Sequence, residues 1–560
     1  MKKSRLFKLC AAFLALIMSF AVVTGCGGGG DGLSNDPLTI NVKIRKAGYG
    51  VTYIDKLAQA FETAFAEEGY KVNVLAPRED LLSDNIYREI YSAKQGGGVD
   101  VYFGSDITAE KAVNNPDYGQ LFADITESVY NKKPINAQGE EETMTVAQKL
   151  SQFDTSPCVY NQKVYGLPFA LSVGGFAVNT AILSDYDFET PRTTKELFMQ
   201  ADEIMKDAYE TDVFPFTFSL SGNDYTLSTL PTWFAQYGGY EEFTSFWSFE
   251  KQDSTKMSNA EIAQVFGTDA VQVALQTAFH FFDSTMEAYN SATQSYSMAQ
   301  NQIMRGTAVF MSNGSWMLNE EFERNKNYIG NVSFINAPMV SELGVLLFGA
   351  GTSYNFNDDK CDQVLSTIIK YCDQGLLASQ VKTAVDQELS LNLNIDDVTT
   401  VCERRGYVKG GTSMGLVISQ KSGKKEIAEK FLRFCASEDG ARIFAQESRT
   451  NSPYAPTINP NTNYAWCNNV NSTISNPYLK YLRIDATGYR ERMGLDTMFP
   501  SLGSPIANKL QGKVSKYDPD TLEIIATDEV FKQKAAQAVL NAVTEATNNL
   551  TSGIWKEIIK

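Results

Sequence analysis

Residues 38–103 constrain the fold more than any other part of this 560-residue chain. Leu38-Thr39-Ile40-Asn41-Val42-Lys43-Ile44 alternates apolar and polar side chains, the pattern of a half-buried strand. Ile54, Leu57, Phe61 and Phe65 then recur at three- and four-residue steps, and Gly69 stops the run. Residues 70–75 return to a β pattern, 81–94 read as a second helix, Gly96 to Gly98 break it, and 99–103 give a third strand. Strand, helix, strand, helix, strand demands right-handed crossovers and a parallel sheet, so the expected class is α/β. Ligands of such sheets lie beyond the carboxyl ends of the strands. The loops 45–53 and 104–107 are therefore the first site candidates.

The N-terminus reads as an export signal. Lys2, Lys3, Arg5 and Lys8 precede an uncharged, mostly apolar run at 9–23. That run is shorter than the roughly 20 residues a membrane-spanning helix needs. It ends in Val23-Thr24-Gly25-Cys26, which matches the bacterial lipobox, in which small residues precede an acylated cysteine. Residues 1–25 are thus expected to be a lipoprotein signal peptide and Cys26 the lipidation site. The protein is expected on the outer face of the cell membrane, facing the periplasm where there is an outer membrane. Residues 26–37, rich in glycine, form the tether; as free coil, 27–37 would reach about 18–20 Å. The G-x-G-x-x-G match at 27–32 has no preceding strand and is set aside.

The formal charge is −17, and removing residues 1–25, with four cations and no acid, takes it to −21. Nucleic acid is not an expected partner. The ligand's own charge stays open, because a cationic pocket can sit inside an acidic shell. Apart from Cys10 and Cys26 the cysteines are Cys158, Cys361, Cys372, Cys402, Cys435 and Cys467, without any C-x-x-C pair. A chain this long can stabilise itself by core burial, so buried free thiols are expected. Cys361 and Cys372, on one helix, would lie about 16 Å apart and could not bridge. The single histidine, His280, sits between Phe279 and Phe281 and reads as a packed side chain; no EF-hand or thiolate cluster is visible. No metal or cofactor is expected. Gly411-Thr412-Ser413-Met414-Gly415 fits the hydrolase elbow G-x-S-x-G, but the apolar strand follows the serine instead of preceding it and the histidine lies upstream.

Several blocks carry a specific resemblance. Residues 61–74, 91–106 and 121–126 come first, then 164–179, 191–205 and Tyr237-Gly238-Gly239. The block Arg305 to Trp316 (Arg-Gly-Thr-Ala-Val-Phe-Met-Ser-Asn-Gly-Ser-Trp) and the pair 414–419 and 426–444 complete the series. In this order they resemble the family 1 extracellular solute-binding proteins of ABC importers. The resemblance implies a two-lobed periplasmic-binding-protein-like fold of type II, each lobe a mostly parallel sheet flanked by helices, joined by a hinge. Lobe 1 would hold 38–168 plus 414–448, and lobe 2 would hold 169–413 plus 449–560 with a long insertion at about 341–409. It implies a non-enzymatic, monomeric receptor that takes a sugar or oligosaccharide into an interlobe cleft. Its other partners would be ABC permease subunits and, through the lipid anchor, the membrane. Two alternatives stand beside it: an exported polysaccharide-acting enzyme, and a surface glycan-binding lipoprotein without a transporter.

Sugar recognition needs flat aromatic faces against C–H surfaces and planar polar groups against hydroxyls. Trp316, which the resemblance places at a cleft-facing turn, is the first candidate, with a core role as the other reading. Trp233 follows, against ordinary helix packing. Asp106, at the end of the third strand, offers either a ligand carboxylate or a helix N-cap. Tyr49, Tyr53, Tyr354, Arg405, Tyr407 and Tyr454 complete the set; for Arg405 the competing reading is a surface salt bridge.

Overall fold

Three parallel strands form where the alternation places them in the computed structural model. It describes residues 32–482 except 47, 105–106, 115–116, 154, 220–228, 323 and scattered positions in 249–293, together with a few positions in 530–541. The signal peptide, Cys26 and Asp106 lie outside the described residues. β1 (Thr39–Ile44) is central, pairing β2 (Lys71–Val74) through Val42 and Val74 and β3 (Val101–Gly104) through Ile44 and Phe103. Helices α1 (Thr52–Ala64) and α2 (Ser83–Ser92) make the crossovers. Tyr53, Ile54, Leu57, Ala58 and Phe61 form the buried stripe of α1. A short hairpin, β4 (Val159–Tyr160) with β5 (Lys163–Val164), turns on Asn161 and Gln162 at φ 48° and 62°, the left-handed pair a two-residue hairpin loop needs.

Beyond the hairpin the architecture depends on two long strands. β6 (Leu167–Asn179) is buried along its whole length, consistent with its almost continuous apolar run. Its first part pairs antiparallel with β10 (Tyr407–Ile418), from Leu167 opposite Leu416 to Val173 opposite Gly410. From Gly174 onward it pairs antiparallel with β8 (Ala308–Gly314) and β9 (Val332–Ile335), and β7 (Phe214–Phe216) adds parallel to β8. β10 repeats the switch: residues 415–418 pair with β3, while Tyr407 to Lys409 pair parallel with β11 (Lys480–Leu482). Among the described residues these strands make one nine-stranded sheet, in the order β2-β1-β3-β10-β6-β8-β7, with β9 on β6 and β11 on β10. Gly411 to Gly415 lie inside β10, so no strand-turn-helix elbow forms there.

Where β6 and β10 change partners, β10 carries Gly410 and Gly411 at φ +147° and +132°, backbone that side chains resist. A β-carbon on Gly410 would stand 2.1 Å from the Ser172 carbonyl oxygen. Only glycine lets the strands approach this closely.

Two large cores flank this crossing. In one, Phe103, Phe169 and Phe444 pack with Tyr53 beneath α1, α9 (Lys425–Cys435) and α10 (Glu438–Ser448); the Phe169 and Phe444 rings are 4.7 Å apart. In the other, Phe176, Phe216, Phe281 and Phe310 pack with α3 (Leu230–Gly238) and α4 (Asp269–Phe281). The long excursion at 341–409 joins this second core through α6 (Asp358–Cys372), α7 (Ala378–Leu389) and α8 (Ile395–Arg405). Asn357 caps α6 by accepting the Lys360 amide at 2.9 Å, and Arg404 of α8 donates to the α3 carbonyl of Gln236 at 3.0 Å. Cys361 and Cys372 do share one helix, and all six cysteines from Cys158 to Cys467 are buried thiols. After α10 the chain returns across the crossing: α11 (Ala465–Ile474) covers β9, and Asn451 accepts the Leu171 amide at 2.9 Å.

The first described residues dock on the sheet edge. Asn73 donates to the Gly32 carbonyl at 2.8 Å, Asn41 to that of Ser34 at 3.0 Å, and Lys424 to the same Ser34 oxygen at 3.0 Å. Polar side chains at the sheet edge thus hold Gly32 and Ser34 against the body.

Candidate functional site

The loop after β1 meets α5 (Met317–Phe322), the helix that begins just after β8, so the β1–β3 and β8 regions touch here. Asn319 Nδ2 donates to the Gly48 carbonyl at 2.7 Å and lies beside Gly50, where a β-carbon would stand 3.1 Å from it. Arg449 Nη1 donates to Asn319 Oδ1 at 3.2 Å, and its guanidinium lies 3.3 Å from the centre of the Phe322 ring. Gln300 Nε2 donates to Glu320 Oε2 at 2.6 Å, and the other Glu320 oxygen would stand 2.7 Å from a β-carbon at Gly48. An amide, a carboxylate, a guanidinium and a second amide therefore converge within one helical turn.

Trp316 opens this turn. Its indole is half-buried and folds back over Gly314, where a β-carbon would meet the ring at 2.2 Å. The glycine is thus required for this ring position. Below it Ser315 is locked in place: its amide donates to the Val173 carbonyl at 2.9 Å and its hydroxyl accepts the Val173 amide at 3.2 Å. Trp466, 1 % exposed, donates its indole N–H to the Ser315 carbonyl at 3.2 Å. One tryptophan is committed to the scaffold, and the other keeps a partly open face. Behind them burial holds the Glu321 carboxyl above the usual range, while Asn325 donates to it at 2.6 Å.

The remaining sequence candidates are spread across the fold. Tyr49 borders the Gly48–Gly50 contact, its ring 6.2 Å from Phe444. Tyr53 is fully buried between Phe103, Phe169 and Phe444, and desolvation pushes its phenol well up. Trp233, 1 % exposed, packs against Phe176 and gives its indole N–H to the Pro338 carbonyl at 3.1 Å; here the helix-packing reading is the one observed. Arg405 is committed to a two-point ion pair with Asp373, both bonds 2.8 Å, and to the Ala337 carbonyl at 3.0 Å. The ion pair forms, but with the arginine buried and not on the surface as expected from sequence. Tyr354 gives its hydroxyl to Asp397 at 2.8 Å within the excursion, and Tyr407 packs near Tyr240 at the start of β10. Tyr454 is buried, its hydroxyl donating to the Pro168 carbonyl at 2.7 Å. Trp233, Tyr354, Arg405 and Tyr454 thus have their polar atoms engaged inside the chain.

Gln300, Asn319, Glu320, Arg449 and Trp466 were not singled out from sequence. Asn319 and Glu320, three and four residues after Trp316, had a legible signal, the shared helical face. Arg449, Gln300 and Trp466 reach the turn from distant segments and had none.

The model of the family described as bacterial extracellular solute-binding protein matches residues 50–346. The chain belongs to that family. Among curated proteins, none matches this solute-binding protein in sequence. Solved structures share its fold at low identity. The bacterial solute receptor AcbH, titled for an exclusive preference for β-D-galactopyranose, is 10 % identical with a TM-score of 0.52, over 91 % of this chain and 99 % of its own. A structure titled for xylan utilization by the thermophilic bacterium Caldanaerobius polysaccharolyticus is 12 % identical with a TM-score of 0.51, over 90 % and 99 %. A cyclo/maltodextrin-binding protein complexed with maltotetraose is 13 % identical with a TM-score of 0.50, over 93 % and 98 %. The fold is accordingly the two-lobed one of periplasmic binding proteins. Among the described residues no helix is long and apolar enough to cross a membrane.

Proposed function

We propose that this solute-binding protein captures a sugar or oligosaccharide between its lobes and delivers it to the permease subunits of an ABC importer, tethered to the membrane through the lipid on Cys26. One observation carries the reading. Two paired strands cross between the lobes on glycines, and beside that crossing a half-buried indole stands with a set of planar polar groups. Trp316 would lie against the C–H face of a sugar ring, and Gln300, Asn319, Glu320 and Arg449 would exchange their mutual bonds for sugar hydroxyls. Tyr49, beside the Gly48–Gly50 contact, would complete the cleft, and Asp106, which follows β3 in sequence, is proposed as a further ligand-binding residue. The strand pairings support a lobe division near 173–174 in β6 and 410–411 in β10, a few residues from the sequence-based boundaries. The glycan ligands in the titles of two fold relatives support a carbohydrate as cargo.

In this mechanism the lobes close about the crossing and bury the ligand. The ligand shifts the open and closed populations only by its differential affinity for them. A thermal-shift screen of glycans, amino acids and polyamines identifies the cargo, since a tight ligand raises the melting temperature by mass action. A glycan hit that compacts the protein in X-ray scattering supports the reading; bound ligand without compaction sinks it. Products appearing from an oligosaccharide on long incubation would favour an enzyme instead.

A further inference from the structure

Helices α6 and α8 meet at their last turns inside the long excursion. Cys372 closes α6, Cys402 lies within the last turn of α8, and their sulfurs are 2.8 Å apart. Both residues are buried, 2 % and 0 % exposed. Non-bonded heavy atoms prefer about 3.5–4.0 Å, and a disulfide needs about 2.05 Å. The sulfurs therefore stand closer than a resting contact, one small movement from a bond. The adjoining Asp373 and Arg405 make their two-point ion pair across the same junction and hold the helix ends in register. Among the described residues no group of three or more His, Cys, Asp or Glu side chains could hold a metal, so the pair is not part of a metal site.

We propose that Cys372 and Cys402 are joined by a disulfide in the exported protein. The bond forms by thiol–disulfide exchange with an oxidised protein disulfide outside the cytoplasm, the compartment in which members of an extracellular family reside. Each cysteine gives up its thiol proton, one S–S bond forms between them, and the carrier's disulfide takes the two electrons to become a dithiol. The ring so closed links residues 30 apart and contains α7, so it staples the excursion, which lies almost wholly beyond the part of the chain matched by the family. Closing a ring of this size removes freedom from the unfolded chain. The facing Cys402 thiol and then burial disfavour the Cys372 thiolate, and burial of both sulfurs shields the bond from reductant once it is made.

The test uses the full chain recovered from the envelope of an expressing bacterium. The protein is unfolded in one alkylating reagent, then reduced and labelled with a second, and the peptides are read by mass spectrometry. Cys372 and Cys402 should carry the second label, and Cys158, Cys361, Cys435 and Cys467 the first; the first label on both Cys372 and Cys402 overturns the proposal. Reductant applied to the native protein should leave this labelling unchanged. Reductant present throughout unfolding and refolding should lower the melting temperature by a few degrees in the wild type and not in C372A/C402A, while equal shifts in both would refute the staple.

Discussion

The two lobes are joined in two physically different ways. At the crossing, β6 and β10 pair backbone to backbone, with a strand on either side and Gly410 of β10 pressed against the Ser172 carbonyl. At the rim, Gly48 and α5 are joined by a side-chain hydrogen bond from Asn319, itself held by Arg449, a contact contributing about 0.5–1.5 kcal/mol. The difference teaches where a two-lobed protein can yield. Ladder-paired backbone has no alternative partner to take, whereas a polar side chain can release one partner and take another.

The strongest way to break this comparison is at the pivot. G410V places a side chain against the Ser172 carbonyl in backbone that valine resists, and should cost at least about 3 kcal/mol or prevent folding, measured by chemical denaturation. Wild-type stability would show that the pivot is not built as described.

The two tryptophans divide along the same line. W233A should cost about 3–5 kcal/mol of stability, since it empties a core position and frees the Pro338 carbonyl. W316A should leave the melting temperature within a few degrees and weaken glycan binding by about tenfold or more, about 1.4 kcal/mol, measured by calorimetry. The reverse pattern would exchange their roles.

At the rim, N319A removes the bond to Gly48 and should cost no more than about 1.5 kcal/mol of global stability. The unliganded protein should then scatter as a more open particle. An unchanged scattering profile would mean that Asn319 does not restrain the lobes.

The smallest effect concerns pH. Burial raises the Glu321 carboxyl above its unfolded value, so the folded state binds the proton more tightly. Stability from this group is greatest at low pH and falls as pH rises from the ordinary glutamate range through the raised folded value. E321Q should remove that part of the fall, leaving a flatter stability curve over the same window.

Much of the fold was legible because its signals are local. The alternation at 38–44, the helical steps from Ile54 to Phe65 and the glycine breaks each act within a few residues, and the resulting β1-α1-β2-α2-β3 unit is the one observed. The block ending at Trp316 marked the turn where the candidate site lies, and the family match supports that resemblance.

What remained illegible depends on partners far away in the chain. Trp233 and Trp316 both sit in aromatic, helix-forming contexts, yet Trp233 is sealed by a carbonyl 105 residues distant. Arg405 had to meet Asp373 before its charge was accounted for, and Asn319 meets Gly48 across 271 residues. Sequence alone determined which segments become strands and helices and where the glycines fall, since backbone sterics and apolar period are properties of neighbours. Only the tertiary structure decided which polar groups are sealed in the core and which bond to one another at the rim. Hydrogen bonding and burial depend on what is brought together in space, and that is settled when the two lobes pack.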